Sequence, residues 1–287
     1  MMSRVLTISL CAALFWAPRP AFAQTSAPVQ TPAPQEPRPT KQLERDFLKN
    51  LLRDQKAIWM SPIGLRTDDL WWFGSLSGAT AALIATDRQT GDAIAAKYPE
   101  LVEPSLKIGD VFSGESIIAT VGSFYLIGRA TKNERAIETG LLGGEALLNA
   151  GIVLSTFKGI MQRARPDAGE ERGDFFVGGA SFPSGHAGHI WAIATVVASE
   201  YHDRKLVPIV AYGIAGVASL SRFTAQKHYL SDILVGSAIG FGIGRYVYRV
   251  HHLDGTVGGG GTGKWPLISP QVNRATRSYR ISLNWIY

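Results

Sequence analysis

The chain has 287 residues, of which 46% are hydrophobic and 18% charged, so it is too apolar to be disordered throughout and long enough for one large helical domain. Its 29 Lys and Arg outweigh 23 Asp and Glu to give a formal charge of +6, spread without a basic block. That surplus suits an anionic small molecule or a membrane surface and leaves no footprint for nucleic acid.

At the N-terminus, Arg4, the apolar run Val5 to Trp16 and the exit Ala21-Phe22-Ala23 describe a cleavable secretory signal over residues 1–23. Pro18 and Pro20 weigh against an uncleaved anchor. The single cysteine, Cys11, leaves with this segment, which excludes disulfides, thiolate metal sites and a cysteine nucleophile from the mature chain. Residues 24–40 are Pro, Thr, Gln and Ala with Val29 as the one large apolar side chain, and predict a disordered, partly extended spacer. The mature protein is thus expected to be exported, to the periplasm or the periplasmic face of a membrane.

From Lys41, the helical spacing of Leu43, Phe47, Leu51 and Ile58 predicts a leading amphipathic helix that ends before Pro62. Six segments rich in Ala, Gly, Ile and Val follow near 71–86, 112–129, 139–161, 187–201, 206–221 and 229–247. They predict an all-α fold, a six-helix core bundle within a domain over 41–253. A bilayer span needs about 20 mainly apolar residues, and Glu138, Glu145 and Asp232 interrupt these runs. The pattern therefore favours a soluble or peripheral domain, with an integral membrane domain as the alternative. Trp71, Trp72 and Phe73 suit the core better than an interfacial belt. Gly236, Gly240 and Gly244 form a small-residue face that lets a neighbouring helix come close. Beyond Asp254 a Gly-rich linker leads into Tyr279, Ile281, Leu283, Trp285 and Tyr287, whose period of two reads as a strand. With Pro266 to Val272 as partner, the tail over 254–287 is expected to form a short β-hairpin.

Three clusters carry the chemistry. Lys158 and Arg165 are seven apart, nearly two helical turns, so they project from one face, and Pro166 marks the helix boundary. Two cations aimed at one point suit an anion, although a basic helix end also serves as a solvated cap. Next, Ser181-Phe182-Pro183-Ser184-Gly185-His186 opens a helix, and a Ser-Gly turn there presents free N–H groups and the positive end of the dipole to a phosphate. Third come Ser221-Arg222, His228 and Asp232. A carboxylate four residues after His228 can take the proton of one ring nitrogen and leave the other as the lone pair a nucleophile or base needs.

In order, the clusters read K-x6-R-P, P-S-G-H and S-R-x5-H-x3-D. This pattern resembles the type 2 phosphatidic acid phosphatase and vanadium haloperoxidase superfamily, with Lys158, Arg165, Pro166, Pro183, Ser184, Gly185, His186, Ser221, Arg222, His228 and Asp232 at its fixed positions. The resemblance implies an all-helical fold and a phosphatase that needs no metal or other cofactor, its substrate a phosphorylated small molecule or a lipid phosphate. It implies that Lys158, Arg165, Ser184, Gly185 and Arg222 bind phosphate. His228 would be the nucleophile, Asp232 its orienting group and His186 the general acid and then base. The two histidines then need opposite starting protonation, which predicts a bell-shaped pH profile. A vanadate-dependent haloperoxidase and a non-catalytic binder of phosphate headgroups are the alternatives. The resemblance does not reach the spacer or the β tail.

Other residues attract plainer readings. His186 and His189 form H-x-x-H without a third ligand, so no metal site is assigned. His202 and the His251-His252 doublet are expected at the surface near helix ends. Asp167 to Asp174 is expected to be a solvated loop, with a lid over the site as second choice.

Overall fold

A computed structural model of the chain describes residues 40–61, 67–252, 267–273 and 278–284. The signal segment, nearly all of the spacer and the Gly-rich linker lie outside the described residues. Among the described residues, eight α-helices run in chain order: α1 (Thr40–Met60), α2 (Thr67–Lys97), α3 (Val102–Val111), α4 (Gly114–Thr131), α5 (Glu134–Met161), α6 (Gly185–Glu200), α7 (Leu206–Thr224) and α8 (Leu230–His251). Strands β1 (Leu267–Asn273) and β2 (Ser278–Asn284) pair antiparallel, with Leu267 opposite Asn284. The six apolar segments correspond to α2 and α4 to α8. Sequence periodicity missed α3, whose ten residues are too few to show a clear apolar face.

Local chemistry sets the helix ends. Ser113 caps α4 by accepting the Ser116 N–H at 3.4 Å, and Asn133 caps α5 by accepting that of Ala136 at 3.2 Å. Lys132, at φ 55°, turns the chain between these two helices. The centre of the bundle is α6. Its small and branched residues pack on one side with Leu142, Ala146 and Leu154 of α5 and Val247 of α8, and on the other with Ile117 of α4 and Ala215 and Ala218 of α7. The glycine face of α8 lies directly on α6. A Cβ added to Gly236, Gly240 or Gly244 would stand 2.4, 2.0 and 2.4 Å from the carbonyl oxygens of Ser184, Gly188 and Ala192.

The expectation of a soluble or peripheral domain is corrected. Four segments, Pro99–Thr131, Glu134–Met161, Leu206–Thr224 and Leu230–His251, are long and apolar enough to cross a membrane. The 19 residues of α7 and 22 of α8 rise about 28 and 33 Å, the thickness of a hydrocarbon core. Glu145 and Asp232, which break the apolar runs in sequence, are 2% and 0% exposed and face the bundle interior. The outer surface instead shows Ile118, Leu126 and Ile127 of α4 and Leu206, Ile209 and Val210 of α7. Such an exterior belongs in lipid.

Two further expectations change. Trp71, Trp72 and Phe73 are exposed rather than in the core, because the first half of α2 stands off the bundle. His251 is fully buried rather than at the surface. Its Nε2 lies 2.9 Å from Asp54 of α1 and 3.6 Å from Glu145 of α5, while His252 Nδ1 lies 2.8 Å from Glu138. These contacts tie the ends of α1, α5 and α8 together.

Gly240→Ala is expected to push α8 off α6, lower the melting temperature and cut activity. Overpacking typically costs about 1 to 3 kcal/mol, and an unchanged thermal midpoint in detergent would refute direct helix contact here.

Candidate active site

Residues of all three clusters gather where α5 ends, α6 begins, α7 ends and α8 begins. Lys158, near the end of α5, donates to the Ala180 carbonyl at 2.6 Å. Its Cε would lie 3.6 Å from a Cβ on Gly185, so the ammonium group lies across the start of α6. Arg222, near the end of α7, rests on the backbone of α3 so closely that a Cβ on Gly109 would overlap its Nη1. Its Nε is buried and has no hydrogen-bond partner, which leaves a donor for an incoming anion. Arg165 is exposed in the loop after α5. Its charge acts on both His186 and His228, with Arg222 added at His186 and Lys158 at His228. Three cations and two imidazoles thus share one electrostatic neighbourhood.

The start of α6 follows from its cap. Ser184 accepts the Ala187 N–H at 3.4 Å, so the amides of Gly185 and His186 in the first turn have no helical acceptor. Ser184 itself is fully buried. Its oxygen accepts at the helix cap, which leaves the hydroxyl proton and those two amides as the donors of this turn.

His228 stands just before the Tyr229 cap of α8, only 3% exposed. Its Nδ1 lies 3.6 Å from Asp232 Oδ2 and 3.5 Å from Ser181 Oγ. Asp232 is held from several directions: Oδ2 accepts from Ser181 Oγ at 2.5 Å and from the Tyr229 N–H at 2.9 Å, while Oδ1 accepts from Arg163 at 2.7 Å. The Ser184 N–H donates to the Asp232 carbonyl at 2.9 Å and so joins the second cluster to the third. Burial lowers the His228 imidazole below its ordinary range, against the pull of Asp232. His186 is pushed down to about 4, first by burial and then by Arg222, His228, His189 and Arg165. The expected starting charge on His186 is therefore missing at neutral pH while no anion faces it.

Arg163 and Asp87 were not singled out from the sequence, and Ser181 was named in the second cluster without a role of its own. Arg163 falls at an unfixed position between Lys158 and Arg165, Asp87 lies just past an apolar run, and only the fold reveals their partners. The segment Asp167 to Asp174 is a solvated loop, as expected, and surface ion pairs tie it down: Arg172 pairs with Asp92 at 2.8 and 3.0 Å, Arg88 with Asp174, and Lys227 with Asp167 at 2.8 Å.

Beside the cationic end lies an apolar groove of about 1050 Å³, lined by residues of α2, α6, α7 and α8 that include Trp72, Leu83, Trp191, Leu220, Leu230 and Ile233. No cluster residue lines this groove, but its wall residues Leu230 and Ile233 pack with Ala187 and Phe223, the chain neighbours of His186 and Arg222.

The family model of the PAP2 superfamily matches residues 139–255, the stretch that contains every one of these cluster residues. Over this stretch the chain is similar to that superfamily. A lipid A 1-phosphatase of Porphyromonas gingivalis is 31% identical over 119 residues, which cover 41% of this chain and 23% of that protein. The chain thus spans about a quarter of the curated relative it matches. Two solved PAP2-type structures are similar. A transmembrane phosphatidylglycerolphosphate phosphatase from Bacillus subtilis has 22% identity, a TM-score of 0.46 and coverage of 64% of this chain and 96% of that one. LpxE of Aquifex aeolicus has 19% identity, a TM-score of 0.45 and coverage of 57% and 94%.

A dianion facing His186 stabilises its imidazolium, so the falling, alkaline limb of kcat is expected at higher pH than that of kcat/KM. Coincident limbs, or an alkaline limb unchanged in His186→Asn, would contradict the coupling of His186 to the bound anion.

Proposed function

We propose that this protein is a metal-independent phosphatase that hydrolyses lipid phosphomonoesters through a phosphohistidine on His228. The observation that carries this reading is the adjacency of the cationic cluster and the apolar groove: a charged headgroup and an acyl chain can be held at once. The match to a lipid A 1-phosphatase supports the same substrate class, and soluble organic phosphates become the secondary one. The signal-like N-terminus supports export, with the site facing the periplasm.

In this mechanism Lys158, Arg165 and Arg222 hold the non-bridging oxygens with the Gly185 and His186 amides, and supply the charge neutralisation that phosphoryl transfer requires. Each charge-assisted contact contributes about 1.5 to 3 kcal/mol. Asp232 and Ser181 border Nδ1 of His228, so that proton is held and the Nε2 lone pair attacks phosphorus. The P–O ester bond breaks, and the leaving oxygen takes its proton from His186. The neutral His186 then accepts a proton from water as that water attacks the phosphohistidine, which releases phosphate and restores both rings. The low proton affinity of His186 in the open site is reversed by the bound dianion, so acid catalysis is armed by substrate.

Phosphate release from a short-chain phosphatidic acid and from an aryl phosphate tests the chemistry. Activity is expected to persist in EDTA, fall with vanadate, and drop about a thousandfold or more in His228→Ala. Loss in EDTA or survival of His228→Ala would overturn the mechanism, and bromide oxidation with vanadate and peroxide in place of phosphate release would make the protein a haloperoxidase. The groove has its own test. A Cβ on Gly242 meets only open space, so Gly242→Trp is expected to fold and block the groove. KM for a long-chain substrate should rise by about tenfold, the worth of roughly 1.4 kcal/mol of lost apolar contact, while aryl phosphate hydrolysis stays within twofold. Equal effects on both substrates would place the acyl chain elsewhere.

A further inference from the structure

Arg163 is the largest fully buried side chain of the domain, at 1% exposure, in a place where an unpaired guanidinium would be prohibitive. Its fork is almost fully used. Nη1 donates to Asp232 Oδ1 and to Ser231 Oγ, each at 2.7 Å, Nη2 donates to Asp87 Oδ2 at 2.9 Å, and Nε donates to the Gly173 carbonyl at 3.2 Å. The guanidinium also lies over the rings of Tyr229 and Phe175, 4.3 and 4.8 Å from their centroids. Asp87, itself 1% exposed, accepts from the Ser231 amide at 3.3 Å and from its hydroxyl.

The backbone of Arg163 does related work. Its carbonyl accepts the Ser181 N–H at 2.9 Å, and a Cβ on Gly179 would come within 2.2 Å of the same oxygen. One residue therefore fixes both Asp232 and Ser181, the two groups within 3.6 Å of His228 Nδ1. Arg163 engages Oδ1 of Asp232 and leaves Oδ2 to face the imidazole. A lysine could supply the charge but could not span Asp87, Ser231 and Asp232 together.

We propose that Arg163, anchored by Asp87 of α2, is a positioning residue that sets the orientation and the charge of the Asp232–His228 pair. It touches neither substrate nor the reacting phosphorus. It fixes the carboxylate so that the proton of His228 stays on Nδ1, and its charge offsets part of the pull that Asp232 exerts on that proton. Since α2 also lines the apolar groove, the Asp87 to Arg163 contact joins the groove wall to the nucleophile. The inference rests on the phosphohistidine reading for its kinetic consequences and on geometry alone for the state of the ring.

The test uses the full chain in detergent with Arg163→Met, Arg163→Lys and Asp87→Asn. Around His228 the charged and titratable groups are Asp232 of α8, Lys158 of α5, Arg165 of the following loop and His186 of α6, none of which these variants alter. Arg163→Met is expected to lower kcat about a hundredfold, with KM and the inhibition constant of inorganic vanadate within threefold of wild type. The rising, acidic limb of kcat should move to higher pH by about half to one unit, because the carboxylate then acts on the imidazole without competition. Arg163→Lys should return that limb to its wild-type position while kcat stays about tenfold low. Asp87→Asn should lower kcat by about tenfold, and combined with Arg163→Met it should add nothing further.

A kcat within threefold of wild type in Arg163→Met would overturn the proposal. So would vanadate affinity falling in step with kcat, since that would make Arg163 an oxyanion ligand. If Arg163→Met does not fold, Asp87→Asn and Arg163→Lys carry the same decision. A wild type without phosphatase activity would sink the functional reading instead. The positioning claim is then read from nitrogen-15 spectra of His228, which should show the proton on Nδ1 in wild type and a mixture of tautomers in Arg163→Lys; identical spectra would refute it.

Discussion

The rest of the structure depends on how closely α8 approaches α6. Glycines at 236, 240 and 244 let the backbone of one helix meet carbonyl oxygens of the other with no side chain between, and Gly188 on α6 answers in kind. At the charged end this contact becomes chemical, because the Ser184 amide reaches the Asp232 carbonyl at 2.9 Å. The helix start that presents amides to an anion and the helix start that carries the aspartate are therefore one rigid unit. On the reading proposed above, a larger residue at the seam would separate the two imidazoles and disrupt in-line attack and protonation.

Around this unit, charge is arranged by depth. The described cations that face the anion site lie at or near helix ends, whereas Arg163, Asp87, Asp232 and Glu145 are enclosed by protein. Burial of such groups in a low-dielectric interior is tolerable only with partners at close range, and the ion pairs of 2.7 and 2.9 Å provide them for Arg163. The far end of the bundle repeats the principle with His251 against Asp54 and His252 against Glu138. The outer faces of α4 and α7 carry exposed Leu, Ile and Val.

Much of this was legible in the sequence, for identifiable reasons. Helical segments were visible because Ala, Gly and branched residues recur over stretches longer than any strand, and the three clusters because Lys158, His186 and His228 sit at fixed distances from turn-forming or helix-ending neighbours. The bilayer relation was misread because counting uncharged residues along a run ignores direction: Glu145 and Asp232 point inward, where a linear count cannot place them. The same blindness hid Arg163. Between Lys158 and Arg165 it looks like one more basic residue, and only the return of α2 and α8 to the same spot gives it Asp87 and Asp232. Trp71 to Phe73 were misplaced for the opposite reason, since aromatic residues look like core when the packing of α2 is unknown.

The groove and the cationic cluster are built from different residues, and this separates the fates of the two products. The groove is walled by apolar side chains of α2, α6, α7 and α8, whereas the charged residues lie at or near helix ends. On the reading given above, a dephosphorylated lipid can slip back among its neighbours without crossing an aqueous phase, and inorganic phosphate can depart into water without crossing oil. On that reading, neither product waits on the other.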